Sequence, residues 1–204
     1  MSTRPKIIAF SGKAGSGKTT MCNMLQQWLE ANGHKTARLS FADAIYNHLF
    51  SLYRYYWMGL SDFDKNNSKG WFQTHKDRVI PSCNITIREW LQWYGTDLWR
   101  GIDSDIWVKV YESKALGLIQ NQYIVLTDDV RFENEVHAIQ VMNGNTLMAF
   151  GPVYRLTRNL KMGNHESETA LDNHKWYPDW LIDNTNQTPD ETFADIIKYL
   201  EAKP

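Results

Sequence analysis

Residues Gly12-Lys13-Ala14-Gly15-Ser16-Gly17-Lys18-Thr19 fill every fixed position of the pattern G-x-x-x-x-G-K-[ST]. The chemistry such a segment suits is the holding of a polyphosphate. Its glycines let the backbone wrap closely around the anion, and the amides of the loop and of the following helix start point at it. In that arrangement Lys18 reaches the β- and γ-phosphates and Thr19 ligates Mg²⁺, while Thr20, one residue on, is placed for the α-phosphate. The metal needs an acid at the end of a neighbouring strand. Asp128 and Asp129 follow the apolar run Tyr-Ile-Val-Leu at 123–126, and Asp128 is assigned to that role. The alternative for these aspartates is to cap the helix that follows them.

For this chemistry the loop must lie between a strand and a helix, and the sequence provides both. Lys6 to Phe10 is a short apolar run, and Met21, Met24, Leu25, Trp28 and Leu29 carry a helical period that stops at Asn32-Gly33. Thr36 to Phe41 then reads as a strand and Ala42 to about Met58 as a helix. Residues 59–84, polar and without a sustained period, read as a surface excursion holding one short helix. Thr86-Ile87-Arg88-Glu89 is a capping box that opens a helix to about Leu98, and a further helix is expected from Asp103 or Ser104 to about Leu118. Gln122 to Thr127 is the most β-like stretch. Phe132 to Met142 reads as a helix closed by Asn143-Gly144, Thr146 to Phe150 as a strand, and Trp180 to Ile182 as the last strand. Thr188-Pro189-Asp190-Glu191 starts a final helix that runs to about Ala202. Five strands separated by helices predict an α/β fold in three layers, a parallel sheet with helices on both faces. At 204 residues, a single domain over 1–204 is expected.

Composition narrows the function classes. With 22 Lys+Arg against 23 Asp+Glu the formal net charge is -1, which argues against a protein that coats nucleic acid or an anionic membrane. Nine Trp, 10 Tyr and 8 Phe exceed what core filling usually demands, and flat ligands such as bases are one outlet for the excess. Two cysteines, Cys22 and Cys83, make no disulfide framework, and the histidines show no zinc-type spacing. No apolar run approaches the roughly 20 residues that span a bilayer, and no signal-peptide pattern precedes the first strand. A cytoplasmic protein without membrane association is expected.

Beyond the loop, several segments together resemble the bacteriophage deoxynucleoside-monophosphate kinases, a branch of the P-loop nucleotide kinases. They are SGKAGSGKTT, SFAD at Ser40 to Asp43, IREWLQWYGTDLWR at Ile87 to Arg100 with Trp107, LTDDVRFENE at Leu126 to Glu135, and HESE at His165 to Glu168. In this order they cover most of the chain, and the poorest match is the excursion at 59–84. The resemblance implies transfer of a phosphoryl group from Mg²⁺-bound ATP to a deoxynucleoside 5'-monophosphate.

It also implies roles for residues that the loop does not explain. Arg88 would hold the acceptor phosphate, since an arginine fork makes bidentate bonds and keeps its charge, and Gln92, at i+4 on the same helix face, would hold a base or sugar. Arg100 and Arg131 would face the same cleft, and Asp43, just beyond the second strand, would position the acceptor sugar or accept a proton. Residues 151–168 resemble a short lid, whose Arg155, Arg158 and Lys161 would neutralise charge on the transferring phosphates, braced by His165 and Glu168. The excursion at 59–84 would be an acceptor-side insertion. A related kinase acting on a hydroxyl, such as a hydroxymethylated pyrimidine in phage DNA, is the alternative, with Asp43 as its general base and Lys69, Lys76 and Arg78 along a local groove. Nucleic acid is a partner only under that alternative. A third reading is a non-catalytic nucleotide-binding module. The aromatic helix at 44–58 is a candidate homodimer face, or else packs within the monomer.

Overall fold

A computed structural model describes residues 5–52, 68–80, 83–144, 153–157, 165–175 and 180–202. The described chain divides into two compact units, one of Met1–Ser40 with Tyr111–Pro204 and the other of Phe41–Val110.

The first unit is organised around β1 (Ile7–Ser11), whose five residues are all buried. A strand covered on both faces needs an unbroken apolar run rather than an alternating one, as Ile-Ile-Ala-Phe supplies. Around it β2 (Thr36–Arg38), β5 (Ile124–Val130), β6 (Val153–Thr157) and β7 (Leu181–Asp183) form a five-stranded sheet in the order β2-β5-β1-β6-β7. Every pairing in it is parallel. This is the expected three-layer α/β architecture. On one face, Ile8 and Phe10 of β1 and Leu126 of β5 pack with Met21, Cys22, Leu25 and Leu29 of α1 (Lys18–Ala31) and Ile196 of α8 (Pro189–Ala202). Thr127, one residue past Leu126, points to the other face. There its hydroxyl lies 2.6 Å from the Tyr111 hydroxyl of α5 (Ile106–Gln120). Helix α6 (Glu133–Met142) runs beside β1, and just past it the Asn143 side chain bonds both the N–H (2.8 Å) and the C=O (2.9 Å) of Ile7.

The second unit holds α2 (Asp43–Leu52), α3 (Ser68–Thr74), the antiparallel pair β3 (Val79–Ile80) and β4 (Ile85–Thr86), and α4 (Ile87–Gln92). Its apolar clusters bury Tyr46, Trp71, Phe72, Ile80 and Ile87, and beside them Leu49, Tyr94 and Trp107. Tyr46 and Leu49 of α2 are buried in these clusters within the helix's own unit. The short helix expected in the excursion is α3, while 53–67 lie outside the described residues.

Two expectations are corrected. The helix opened by the Thr86–Glu89 capping box is α-helical only to Gln92 and continues as a π-helix over Trp93–Arg100. Within it Gly95 packs closely, since a Cβ there would lie 2.6 Å from Ile45 Cδ1, and its carbonyl accepts from Trp107 Nε1 at 2.7 Å. The expected lid over 151–168 is, at Val153–Thr157, a strand of the sheet, paired with β1 from Ala9↔Val153 to Ser11↔Arg155. Gly151-Pro152 reads as the opening of a loop, but the strand starts directly after it. The strand expected at Thr146–Phe150 and the remaining lid residues 158–164, Arg158 and Lys161 among them, lie outside the described residues. Among the described residues no helix is long and apolar enough to cross a membrane.

Candidate phosphate-binding site

Between Ser11, the last residue of β1, and Lys18, the first of α1, residues 12–17 fold into a tight loop. Gly12 has φ +141°, and a Cβ there would lie 2.5 Å from both the Leu156 carbonyl and Ser16 Oγ. No other residue fits that space. Gly17 caps α1 in the left-handed region (φ +96°) without a side-chain cap, which leaves the first helix amides directed at the loop's hollow. Asn184, buried just beyond β7, donates from Nδ2 to the Ser16 carbonyl at 2.9 Å and fixes the loop from below.

Lys18 is buried, and its amine donates to the loop carbonyls of Gly12 (2.6 Å) and Lys13 (2.8 Å). Burial, and then the charge of Arg131, lower its pKa to about 8, although Glu168 and Asp128 pull the other way. Thr19 Oγ1 donates to Asp128 Oδ2 at 2.8 Å. The aspartate stands inside β5 and not beyond its end, because the β1–β5 register slips between Ala9↔Thr127 and Ser11↔Val130 and gives β5 one extra residue there. Capping of α6 falls instead to the buried Glu135, whose Oε2 accepts from the Arg131 (2.7 Å) and Phe132 (3.2 Å) amides. Asp128 Oδ2 also accepts from Arg38 Nη2 at 2.6 Å, and Arg38 Nη1 donates to Asn23 at 2.7 Å.

Arg131 pairs through Nη1 with Glu168 Oε1 and donates to the Ser167 carbonyl at 3.0 Å. The other carboxylate oxygen of Glu168 accepts from the loop amide of Ala14 at 3.4 Å. Burial alone would raise the Glu168 pKa, but the Arg131 charge and hydrogen bond outweigh it and hold the carboxyl below its ordinary value. Arg155 is buried within β6, donating to Ser11 Oγ (3.1 Å) and to Asp172 Oδ1 (2.9 Å). Asp172 Oδ2 in turn takes Lys13 Nζ at 3.0 Å. The expected lid arginine is therefore a strut beneath the loop. His165 caps the short α7 (Glu166–Thr169), accepting from the Ser167 amide at 3.2 Å. Thr20 is exposed on α1.

The first unit thus brings together Gly12 to Thr19, Asp128, Arg131 and Arg155. Arg38, Asp172 and Asn184 belong with them and were not expected. Arg38 had a signal, since it sits at the C-terminal end of a parallel strand, where open α/β folds bind ligands. The other four expected residues lie in the second unit. Asp43 pairs with Lys69, Arg88 bonds Asp77 Oδ1 through Nε and Nη2 (both 3.0 Å), and Arg100 Nη1 donates to the Ser104 carbonyl at 2.8 Å. Gln92 ends α4, one turn from Arg88.

The loop residues fit a phosphate chain and Mg²⁺. Ser16 Oγ is buried with no hydrogen-bond partner among the described residues, and the Lys18 ammonium donates to two loop carbonyls. Thr19 and Asp128 present hard oxygen donors, the kind Mg²⁺ takes in ones and twos beside phosphate oxygens.

Fold and loop together define an α/β protein with a phosphate-binding-loop sequence between its central strand and first helix. No protein-family profile matches the chain. It is 32% identical over 99 residues to the uncharacterized protein ORF77 of Ictalurid herpesvirus 1 (strain Auburn). That match takes in 48% of this chain and 42% of the viral protein.

Proposed function

We propose that the protein is a kinase that transfers the γ-phosphoryl group of ATP, with Mg²⁺, to a deoxynucleoside 5'-monophosphate. The observation that carries this reading is the pairing of Thr19 with Asp128 beside a glycine loop that holds Lys18 and is linked to Arg131 through Glu168. Asp43, Arg88, Gln92 and Arg100 all lie in the second unit, apart from the loop, and the reading takes them as the acceptor side. The nature of the acceptor rests on the resemblance of the Ile87 to Arg100 and Leu126 to Glu135 segments to the phage deoxynucleoside-monophosphate kinases.

Each residue then has work of its own. The loop amides and Lys18 bind the phosphate chain, and Thr19 and Asp128 hold Mg²⁺, which when bound neutralises charge on the β- and γ-phosphates. Arg131 meets the charge that develops on the transferring group. Arg88 binds the acceptor phosphate, which is already anionic near neutral pH and needs no base. Steady-state kinetics of Arg88→Ala test the division. KM for the monophosphate should rise far more than KM for ATP, and an equal rise in both would contradict the assignment. Under the hydroxyl-kinase alternative Asp43 acts as base. Turnover on hydroxymethylated DNA alone would favour it, and nucleotide binding without turnover would favour a non-catalytic module.

A further inference from the structure

We propose that Glu168 is a positioning residue that occupies the phosphate loop in the absence of a phosphate chain, holding Arg131 beside the loop, and that an incoming phosphate chain displaces it. This rests on the reading of residues 12–19 as a phosphate site. The Glu168 carboxylate bridges two donors that a phosphate oxygen would use: the amide of Ala14 in the loop (3.4 Å) and the Arg131 guanidinium. Its side chain is only 8% exposed, so the charge is lodged in the site rather than waving above it. Lys18 senses it too, since the Glu168 charge is what most opposes the lowering of the lysine's pKa.

Two anions cannot share those donors. A phosphate chain seated on the Ala14 amide must push the carboxylate off, and Arg131 then changes partner from Glu168 to phosphate without having to travel. Asp172 anchors the same segment four residues on, through Lys13 of the loop and Arg155 of β6, so the carboxylate can leave while its backbone stays tethered. A merely structural brace would have the opposite consequence, because its removal would loosen the loop and weaken phosphate binding.

Binding of inorganic tripolyphosphate to the full chain separates the two. Glu168→Gln keeps the size but removes the charge, and its single carbonyl oxygen accepts from one of the two donors, not both. The variant should bind tripolyphosphate about fivefold or more tightly, the lower end of ordinary coupling between competing ligands, while Glu168→Asp stays near wild type. Unchanged or weaker binding by Glu168→Gln overturns the proposal. Hydrogen exchange on the wild-type protein gives a second reading that needs no variant. On adding tripolyphosphate, amides of 12–19 should slow while those of 165–169 quicken, and slowing of both segments together overturns displacement. If wild-type protein fails to bind tripolyphosphate, the phosphate-site reading falls and this proposal with it. Binding without tightening in Glu168→Gln removes the proposal alone.

Discussion

Thr19 Oγ1 and Asp128 Oδ2 lie 2.8 Å apart although 109 residues separate them in sequence. The contact forms because β1 and β5 are parallel neighbours, and the extra residue in β5 after Thr127 sets Asp128 beside the first turn of α1. Arg38 bonds the same carboxylate oxygen from β2, so three elements converge on one atom.

Substitution of that carboxylate should act on metal dependence first. Asp128→Asn keeps the shape but removes the charge that a divalent cation requires. The Mg²⁺ concentration for half-maximal turnover should rise at least about tenfold, in keeping with the loss of one charged contact. Thr19→Ser, which retains the hydroxyl, should stay close to wild type in the same titration.

Lys18 predicts a pH dependence whose sign is fixed. Its pKa is about 8 in the folded chain against 10.5 ordinarily, so between those values the unfolded state holds more protons. Stability of the nucleotide-free protein should therefore rise with pH across that window, by on the order of 3 kcal/mol from this group, and below pH 8 the cost of burying the ammonium is present in full. A bound phosphate chain favours the charged amine, so binding at pH 8.5 should take up part of a proton. Titration calorimetry in buffers of different ionisation enthalpy measures it, and Lys18→Met should abolish the uptake.

Gly12 has no tolerated replacement. Alanine at φ +141° would press its Cβ to 2.5 Å from the Leu156 carbonyl, which belongs to a buried strand and cannot give way. Gly12→Ala should lose about 2–4 kcal/mol in urea denaturation, together with phosphate binding.

Arg155 separates a strut from a lid. A lid arginine contributes to turnover and little to stability, whereas this one is buried between Ser11 and Asp172. Arg155→Met should lower stability by about 1–2 kcal/mol in the absence of any nucleotide, through the lost bonds to the buried Ser11 hydroxyl and to Asp172, which keeps Lys13. An unchanged melting temperature with reduced turnover would restore the lid assignment.

Four of the five strands were legible in the sequence because they have local causes. Ile-Ile-Ala-Phe can only be a fully buried strand, Asn32-Gly33 and Asn143-Gly144 stop their helices, and Thr86–Glu89 and Thr188–Glu191 form the reciprocal caps their spacing predicts. The loop between β1 and α1 was legible for the same reason, since Gly12 to Thr19 is contiguous. What escaped depends on partners distant in sequence. Val-Tyr-Arg-Leu-Thr reads as a basic loop until Ser11 and Asp172 are known to receive Arg155, and the capping box at Thr86–Glu89 says nothing of the π-helix that continues its helix over Trp93–Arg100. Glu168 was expected to brace a lid, and its bond to the Ala14 amide depends on a fold that spans 154 residues.

Acceptor-dependent phosphoryl transfer is measured directly as ADP release from Mg²⁺-ATP against a panel of deoxy- and ribonucleoside monophosphates, with plain and hydroxymethylated DNA in parallel. Turnover is expected with one or more deoxynucleoside monophosphates, lost when Mg²⁺ is chelated. ADP release that no monophosphate stimulates would contradict the kinase reading.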